Sequence, residues 1–527
     1  MKNMSRVCAG CTIAALLLSA CGDDSSAGAG GGGTSTSTGS GAAPPISGPR
    51  AIDCTHKGSG TDYAVGPGQP YASLGDVPFE TLKGGDTVRI YYRAEPYRDK
   101  LMIGGQGTAD QPVRVCGVAG PNGELPIIDG ENATSRSADD YPYEGLQPRG
   151  VVTLGHRNHD PYDDMPGPFV LEGLAITGGA PDHTFTDVSG ATESYSEAAG
   201  GVFVQRGRGV TIRGCEIYGN ANGIFAGTSG ADEGTYDVLV EANYVHDNGT
   251  VGSDRQHNVY DESIGITYQF NRFGPPAPGT GGNNVKDRSA GVVFRYNWVD
   301  GGAHLLDLVD AQEAKATTVP MQSFHESWVY GNVFLRHRLE GSAIHYGGDS
   351  GIESDYRKGT LYLYGNTVWI DNAAEKDYDV VALTELSTND EHLWSRNNVF
   401  AISSATNPER AVVLLGPRDG DTHGIADVGS DWVDAGITPY RQIPDLPDTF
   451  SGTIEGFANQ SAGATPSFVD ADGDDFRPAM GSPLIGAGAD LDGEVPAALL
   501  PVFAYVPDRD AKPRSDVAAP TQGALLP

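Results

Sequence analysis

Short runs of alternating apolar and polar residues recur along most of the chain, each followed by an asparagine and a second apolar run. The clearest copies are Asp237-Val-Leu-Val-Glu-Ala-Asn243-Tyr-Val, Ile266-Thr-Tyr-Gln-Phe-Asn271-Arg-Phe and Val292-Val-Phe-Arg-Tyr-Asn297-Trp-Val. Trp328-Val-Tyr-Gly-Asn332, Leu361-Tyr-Leu-Tyr-Gly-Asn366 and Leu393-Trp-Ser-Arg-Asn397-Asn398 continue the series, and Val210-Thr-Ile-Arg-Gly-Cys215 carries cysteine in the same slot. The slots fall at Cys215, Asn243, Asn271, Asn297, Asn332, Asn366 and Asn398, at unequal intervals. Period-two strands that repeat at a spacing of roughly 30 residues predict a β-solenoid, in which each coil adds a few short strands to the last. Asn243, Asn271, Asn297, Asn332, Asn366 and Asn398 are then turn residues whose amides bond from coil to coil. The uneven spacing predicts loops of different length along one edge, where they wall a groove.

The pattern bounds the domains. Weaker coils begin near Asp86-Thr-Val-Arg-Ile, Val113-Arg-Val-Cys116 and Phe169-Val-Leu-Glu, and the strands thin out after residue 440. Residues 49–440 are expected to form the solenoid and 441–527 a segment that covers its open end.

The chain ahead of residue 49 cannot join that body. Lys2 and Arg6 precede an apolar run from Val7 to Ala20 that is too short for a membrane span. The run ends Leu18-Ser19-Ala20-Cys21, which resembles a bacterial lipobox. The resemblance implies a signal peptide over 1–20, lipidation of Cys21, and a cell-envelope location. Gly22 after the cysteine leans towards the outer membrane. Residues 21–48, with Gly30 to Gly33 and Pro44-Pro45, read as a flexible tether. Among the six cysteines, Cys54 and Cys116 remain near the start of the body as candidates for a disulfide, and Cys215 reads as a buried thiol.

Net charge is −34, which excludes nucleic acid as a general partner and leaves an anionic sugar possible only where cations gather. They gather once. His257-Asn-Val-Tyr260-Asp-Glu262-Ser aligns over Asn283-Asn284-Val-Lys286-Asp-Arg288-Ser, and the alignment runs without a gap to the slot pair Asn271 and Asn297. Alternation points Asn258, Tyr260 and Glu262 outward beside Asn284, Lys286 and Arg288. Tyr260 is expected to stack on Lys286, and Glu262 on Arg288. The following coils add His304, Asp307, Asp310 and His345. One reading is a set of surface ladders with an exposed Glu262–Arg288 pair.

Here the chain resembles the pectate-lyase-like right-handed parallel β-helix proteins, especially polysaccharide lyase family six. The resemblance spans roughly residues 60–515 and includes Gly66-Pro-Gly and Gly84-Gly-Asp-Thr-Val-Arg-Ile. It implies an all-β fold and cleavage of a uronic-acid-containing polysaccharide by β-elimination. The family's catalytic lysine matches Lys286 by its setting, and its arginine matches Arg288 more loosely. Asp287 stands where the family has serine, and Gly281-Gly-Asn-Asn stands where the family has a calcium-binding glutamate pair. No cofactor is therefore assigned, and calcium is left open.

Elimination needs the sugar carboxylate neutralised, a base at C5 and an acid at the leaving oxygen. Lys286, Arg288, His257 and Tyr260 are the catalytic candidates, and Asn258, Asn284, His304, Asp307, Asp310 and His345 the substrate-binding ones. Outward placement predicts that truncating Lys286 or Arg288 leaves stability nearly unchanged. Two other classes use the same scaffold: a hydrolase drawing its carboxylates from Asp261, Asp287, Asp307 and Asp310, and a monomeric glycan-binding rod without catalysis.

Overall fold

A computed structural model describes residues 48–49, 52–228, 230, 233–336, 342–371, 380–403, 411–418, 421–440, 450–463, 465–516 and 519–527. Residues 1–47, including Cys21, lie outside the described residues.

The described chain is a right-handed parallel β-helix. Three parallel sheets run its length. The first runs from Asp62–Val65 to Thr453–Glu455, the second from Leu101–Ile103 to Ile437–Thr438, and the third from Ile127–Asp129 to Ser461–Gly463. A complete coil contributes strands to all three sheets, and neighbours pair in parallel register, as Val293 beside Trp328 or Val299 beside Phe334. Inward-facing Val88, Val115, Leu171, Ile212, Val240, Tyr268, Phe294 and Val329 stack in register, fill the shaft and are buried. Burying this apolar file from coil to coil supplies the main driving force.

The asparagine series forms the expected ladder. Each Oδ1 accepts from the backbone N–H of the preceding slot, from Cys215 to Asn243 at 2.9 Å through Asn366 to Asn398 at 2.9 Å. From Asn243 onward the side-chain Nδ2 donates to the same oxygen. The ladder continues two steps past the asparagines: Asp431 accepts from both nitrogens of Asn398, and its own N–H donates to Gln460 Oε1 at 2.7 Å. A second ladder joins Asn220, Asn248, Asn258 and Asn284 through their side chains. Asn258 and Asn284 are fully buried in it. Their expected outward, substrate-facing role is corrected: a turn, not strand alternation, sets their direction.

Cys54 and Cys116 form a disulfide that ties the entry segment to the first sheet, and Cys215 is a buried free thiol.

The solenoid runs past the expected boundary at residue 440, because Thr453–Glu455 and Ser461–Gly463 extend the first and third sheets, and the segment after them packs along the flank rather than over the end of the stack. Asn397 donates to the carbonyl of Ala489, Tyr364 to that of Leu499, the Val502 N–H to the Tyr296 hydroxyl, and Arg509 to the carbonyl of Ala242. The segment thus runs back across successive coils. Apolar outward residues explain the choice: Trp298, Trp369 and Trp432 pack with Phe476, Leu484 and Tyr505 into a second buried cluster.

Candidate functional site

The second sheet carries the chemistry on its outer face. In Val259–Asp261 and Val285–Asp287 the outer residues are Tyr260 and Lys286, paired in register. The next strands align Asp307, His345 and Glu385 behind them, so one column reads Tyr260, Lys286, Asp307, His345, Glu385. The inner neighbours Asp261 and Asp287 point into the shaft and are buried, which removes both from the set of accessible hydrolytic carboxylates. Asp287 is bonded there by Arg357 at 3.0 Å.

Lys286 and Arg288 come together as expected, but both are buried and paired. The Lys286 ammonium donates to Asp307 at 2.7 Å and to Asp349 at 2.5 Å. Arg288 donates to the carbonyl of Asp310 and, through Nη2, to Asp349 at 3.1 Å. Its Nε has no hydrogen-bond partner among the described residues. Asp349 belongs to the loop after Ser342–Tyr346, and the sequence reading missed it because nothing in its local pattern links it to a coil 61 residues earlier. Its side chain is 28 % exposed, against 2 % for Asp307 and Asp310. Burial opposes its ionisation, yet Lys286 and Arg288 draw its carboxyl down to about 2.

The Glu262–Arg288 pair does not form. Glu262 accepts from the backbone N–H groups of Gln312 and Ala314 at 2.7 and 2.9 Å. Burial and neighbouring Glu313 push it up to about 8. Arg288 lies instead 5.8 Å from the centre of the Tyr260 ring. Tyr260 stacks on Phe225 at 4.6 Å, and its hydroxyl donates to Gln312 at 3.3 Å. Burial raises its proton affinity, so the hydroxyl keeps its proton at neutral pH.

The three histidines differ. His257 is buried, and its Nδ1 accepts from the backbone N–H of Asn283 at 2.9 Å. A backbone N–H can only donate, so the ring proton sits on Nε2, and that nitrogen is a donor rather than a base. Burial, with Lys286 nearby, pushes its pKa down to about 3. His304 is half-buried, and its Nδ1 faces the carbonyl of Ser342 at 2.9 Å. A carbonyl only accepts, so here Nε2 carries the lone pair. Burial lowers the His304 pKa and keeps the ring neutral. His345 is fully engaged: Nδ1 meets Asp307 at 2.7 Å and Nε2 meets the Ser387 hydroxyl at 2.8 Å. Asp307 also accepts from the Asn283 amide. Burial opposes its charge, but Lys286 and His345 hold it well below the usual carboxylate range.

A polar cavity of about 510 Å³ opens beside this column, lined by Tyr356, Ser387, Thr388, Asn389, Arg418 and His423. Arg418 pairs with Glu385 at 3.0 Å on its wall.

Donor atoms of His304, Asp307 and His345 lie within 4.8 Å of one another. They do not fit a cation: Lys286 and Asn283 occupy one oxygen of Asp307, His345 occupies the other, and Ser387 holds the second nitrogen of His345. Calcium in the manner of the resembled family has no match either. Asn283 bonds Asp307, and Asn284 belongs to the turn ladder.

No family model matches this chain, and no curated protein matches it. Solved structures similar to it include pectate lyase Pel9A, at 10% identity over 90% of this chain and 98% of that one, with a TM-score of 0.37. A GH136 lacto-N-biosidase from Eubacterium ramulus is similar at 12% identity over 77% and 68%, with a TM-score of 0.35. The tailspike protein of E. coli bacteriophage HK620 is similar at 11% identity over 76% and 74%, with a TM-score of 0.28. At such identities a functional reading must come from this chain's own side chains.

Proposed function

We propose that this protein cleaves a uronic-acid-containing polysaccharide by β-elimination on the outer face of the second sheet. The observation that carries the reading is the meeting of Lys286 and Arg288 on consecutive outward positions, between Tyr260 on one coil and His304 on the next.

The C5 proton of a uronate becomes acidic only when its carboxylate charge is neutralised. Arg288 suits that task through its planar fork, with Lys286 beside it. Asp349 now holds both cations, and a sugar carboxylate would take its place. His304 Nε2, neutral and without a hydrogen-bond partner among the described residues, is the candidate base. Tyr260 is the candidate acid for the departing glycosidic oxygen. His257, Asn258 and Asn284 support the backbone rather than the reaction, and Asp310 holds the loop by accepting from the Asp349 N–H at 2.7 Å.

The lipobox extends the proposal to place. A protein acylated at Cys21 and tethered by residues 21–48 would work as a monomer at the bacterial envelope, its glycan partner outside the cytoplasm.

The test incubates the mature protein with alginate, pectate, glycosaminoglycans and bacterial exopolysaccharides. Elimination leaves a conjugated double bond, read as ultraviolet absorbance at the new non-reducing end. His304→Gln and Tyr260→Phe should each reduce that rate by about 10²–10⁴-fold. New reducing ends without absorbance would replace elimination by hydrolysis. Binding without cleavage would replace it by a glycan-binding rod.

A further inference from the structure

One connected set of groups has no part in that elimination. Asp307, His345 and Ser387 stand on three successive coils: two column positions and the residue just past the strand Val380–Leu386. Asp307 Oδ1 meets His345 Nδ1 at 2.7 Å, and Ser387 Oγ lies between two acceptors for its proton, His345 Nε2 at 2.8 Å and the Gly348 carbonyl at 2.9 Å. The carboxylate is buried, ionised and held on its other oxygen by Lys286 and Asn283, so it cannot turn away from the imidazole. Bonding at Nδ1 fixes the ring and directs Nε2 at the hydroxyl. Ser387 lines the polar cavity, whereas Asp307 and His345 lie behind it, each 1 % exposed. The order from solvent inward is therefore hydroxyl, imidazole, carboxylate.

We propose that Asp307, His345 and Ser387 form a serine-nucleophile site that hydrolyses O-acyl esters, such as acetyl groups carried on a sugar. That the ester sits on a polysaccharide rests on the preceding reading; the ester chemistry does not.

The Ser387 oxygen attacks the ester carbonyl carbon while its proton passes to His345 Nε2. The C–O bond to the sugar then breaks, and His345 returns the proton to the departing sugar hydroxyl. Water adds to the acyl-serine and gives its proton to His345. The acid leaves as the Ser387 oxygen recovers its proton, with no redox partner needed. The backbone N–H of Gly348 donates to Ser387 Oγ itself at 3.1 Å, which leaves Arg418 on the cavity wall as the nearby donor for the oxyanion. Glu385, 3.9 Å from His345 Nε2, favours the imidazolium that forms.

Asp307 thus serves two neighbours on opposite sides. Lys286, the candidate uronate contact, lies one strand before it in the sheet, and His345 one strand after. A de-acylating site beside a cleaving site would suit a glycan whose acyl groups block the cut.

The test uses the soluble mature protein and two probes without uronate: p-nitrophenyl acetate and a fluorophosphonate. Wild type should turn over the ester and take one fluorophosphonate, with the mass shift mapped to the Ser387 peptide. Ser387→Ala should lose the label and reduce turnover by on the order of 10³-fold or more. Wild type that neither labels nor turns over the ester overturns the proposal, as does a folded Ser387→Ala of undiminished rate. If Ser387→Ala fails to fold, the peptide map of labelled wild type decides alone. Because the probes carry no uronate, failure of the elimination reading leaves this outcome untouched.

Discussion

Asp431 accepts two hydrogen bonds from Asn398, at 2.7 Å from the backbone N–H and 3.0 Å from Nδ2, and so puts a carboxylate into the turn ladder. Burial pushes its pKa up to about 7. The folded chain therefore holds a proton on Asp431 between about pH 4 and 7 that the unfolded chain releases, so its contribution to stability is present at low pH and lost as pH rises through that window. Asp431→Asn should match wild type near pH 4 and exceed it progressively towards pH 8, by on the order of a few kcal/mol. Urea unfolding of both proteins across this range checks the prediction; a constant difference would refute it.

Asn297 shows what a central rung contributes. Its Oδ1 accepts from Asn271 N and Nδ2, and its Nδ2 donates to Asn332 Oδ1 and the Tyr268 carbonyl. Asn297→Ala takes the acceptor from the buried Asn271 N–H, at about 1–3 kcal/mol before relaxation, while Asn271 Nδ2 keeps the Val240 carbonyl and Asn332 Oδ1 keeps the Asn297 N–H. The denaturation midpoint should fall clearly, without loss of strand content by circular dichroism at low temperature.

Lys286 is buried between two carboxylates, so the expectation of an inert surface substitution is replaced. Lys286→Met should cost about 3–5 kcal/mol, because it leaves Asp307 charged and less compensated. Thermal unfolding should register this loss even where no substrate is present. A variant as stable as wild type would show that solvent reaches Asp307 more freely than its burial implies.

The disulfide between Cys54 and Cys116 closes a loop of 62 residues. On chain entropy alone such a closure contributes about 4 kcal/mol. Reduction, or Cys54→Ser with Cys116→Ser, should loosen the first coils ahead of the rest. Hydrogen exchange should rise first over residues 60–118.

Cys21→Ser tests the anchor. The wild type should fractionate with membranes and carry an acyl mass on its N-terminal peptide; the variant should lose both. Wild type recovered soluble and unacylated would remove the anchor from the proposal.

The stack was legible in the chain because the forces that build it are local and repeated. Alternation at Val292, Phe294 and their equivalents sets inward and outward sides, and Asn297 with its counterparts marks one turn per coil. The outer column was legible for a similar reason: two adjacent coils align without a gap and so place Tyr260 over Lys286, and the register confirms it. Sequence also placed His304, Asp307 and His345 nearby, since each follows a short run onto the same sheet.

The tertiary structure alone decided who partners whom. Asp349 and Ser387 come from loops whose paths carry no periodic signal, yet they complete the ion pairs of Arg288 and the relay of His345. Asn258 and Asn284 turned inward because their amides find better partners in a ladder than in water. Glu262 left Arg288 for two backbone N–H groups of a distant loop, those of Gln312 and Ala314. The terminal segment chose the flank because tryptophans on the third sheet's outer face offered apolar surface there. Periodicity determines which way a side chain leaves its strand; only the packed loops determine whether it meets solvent, a charge or a hydroxyl.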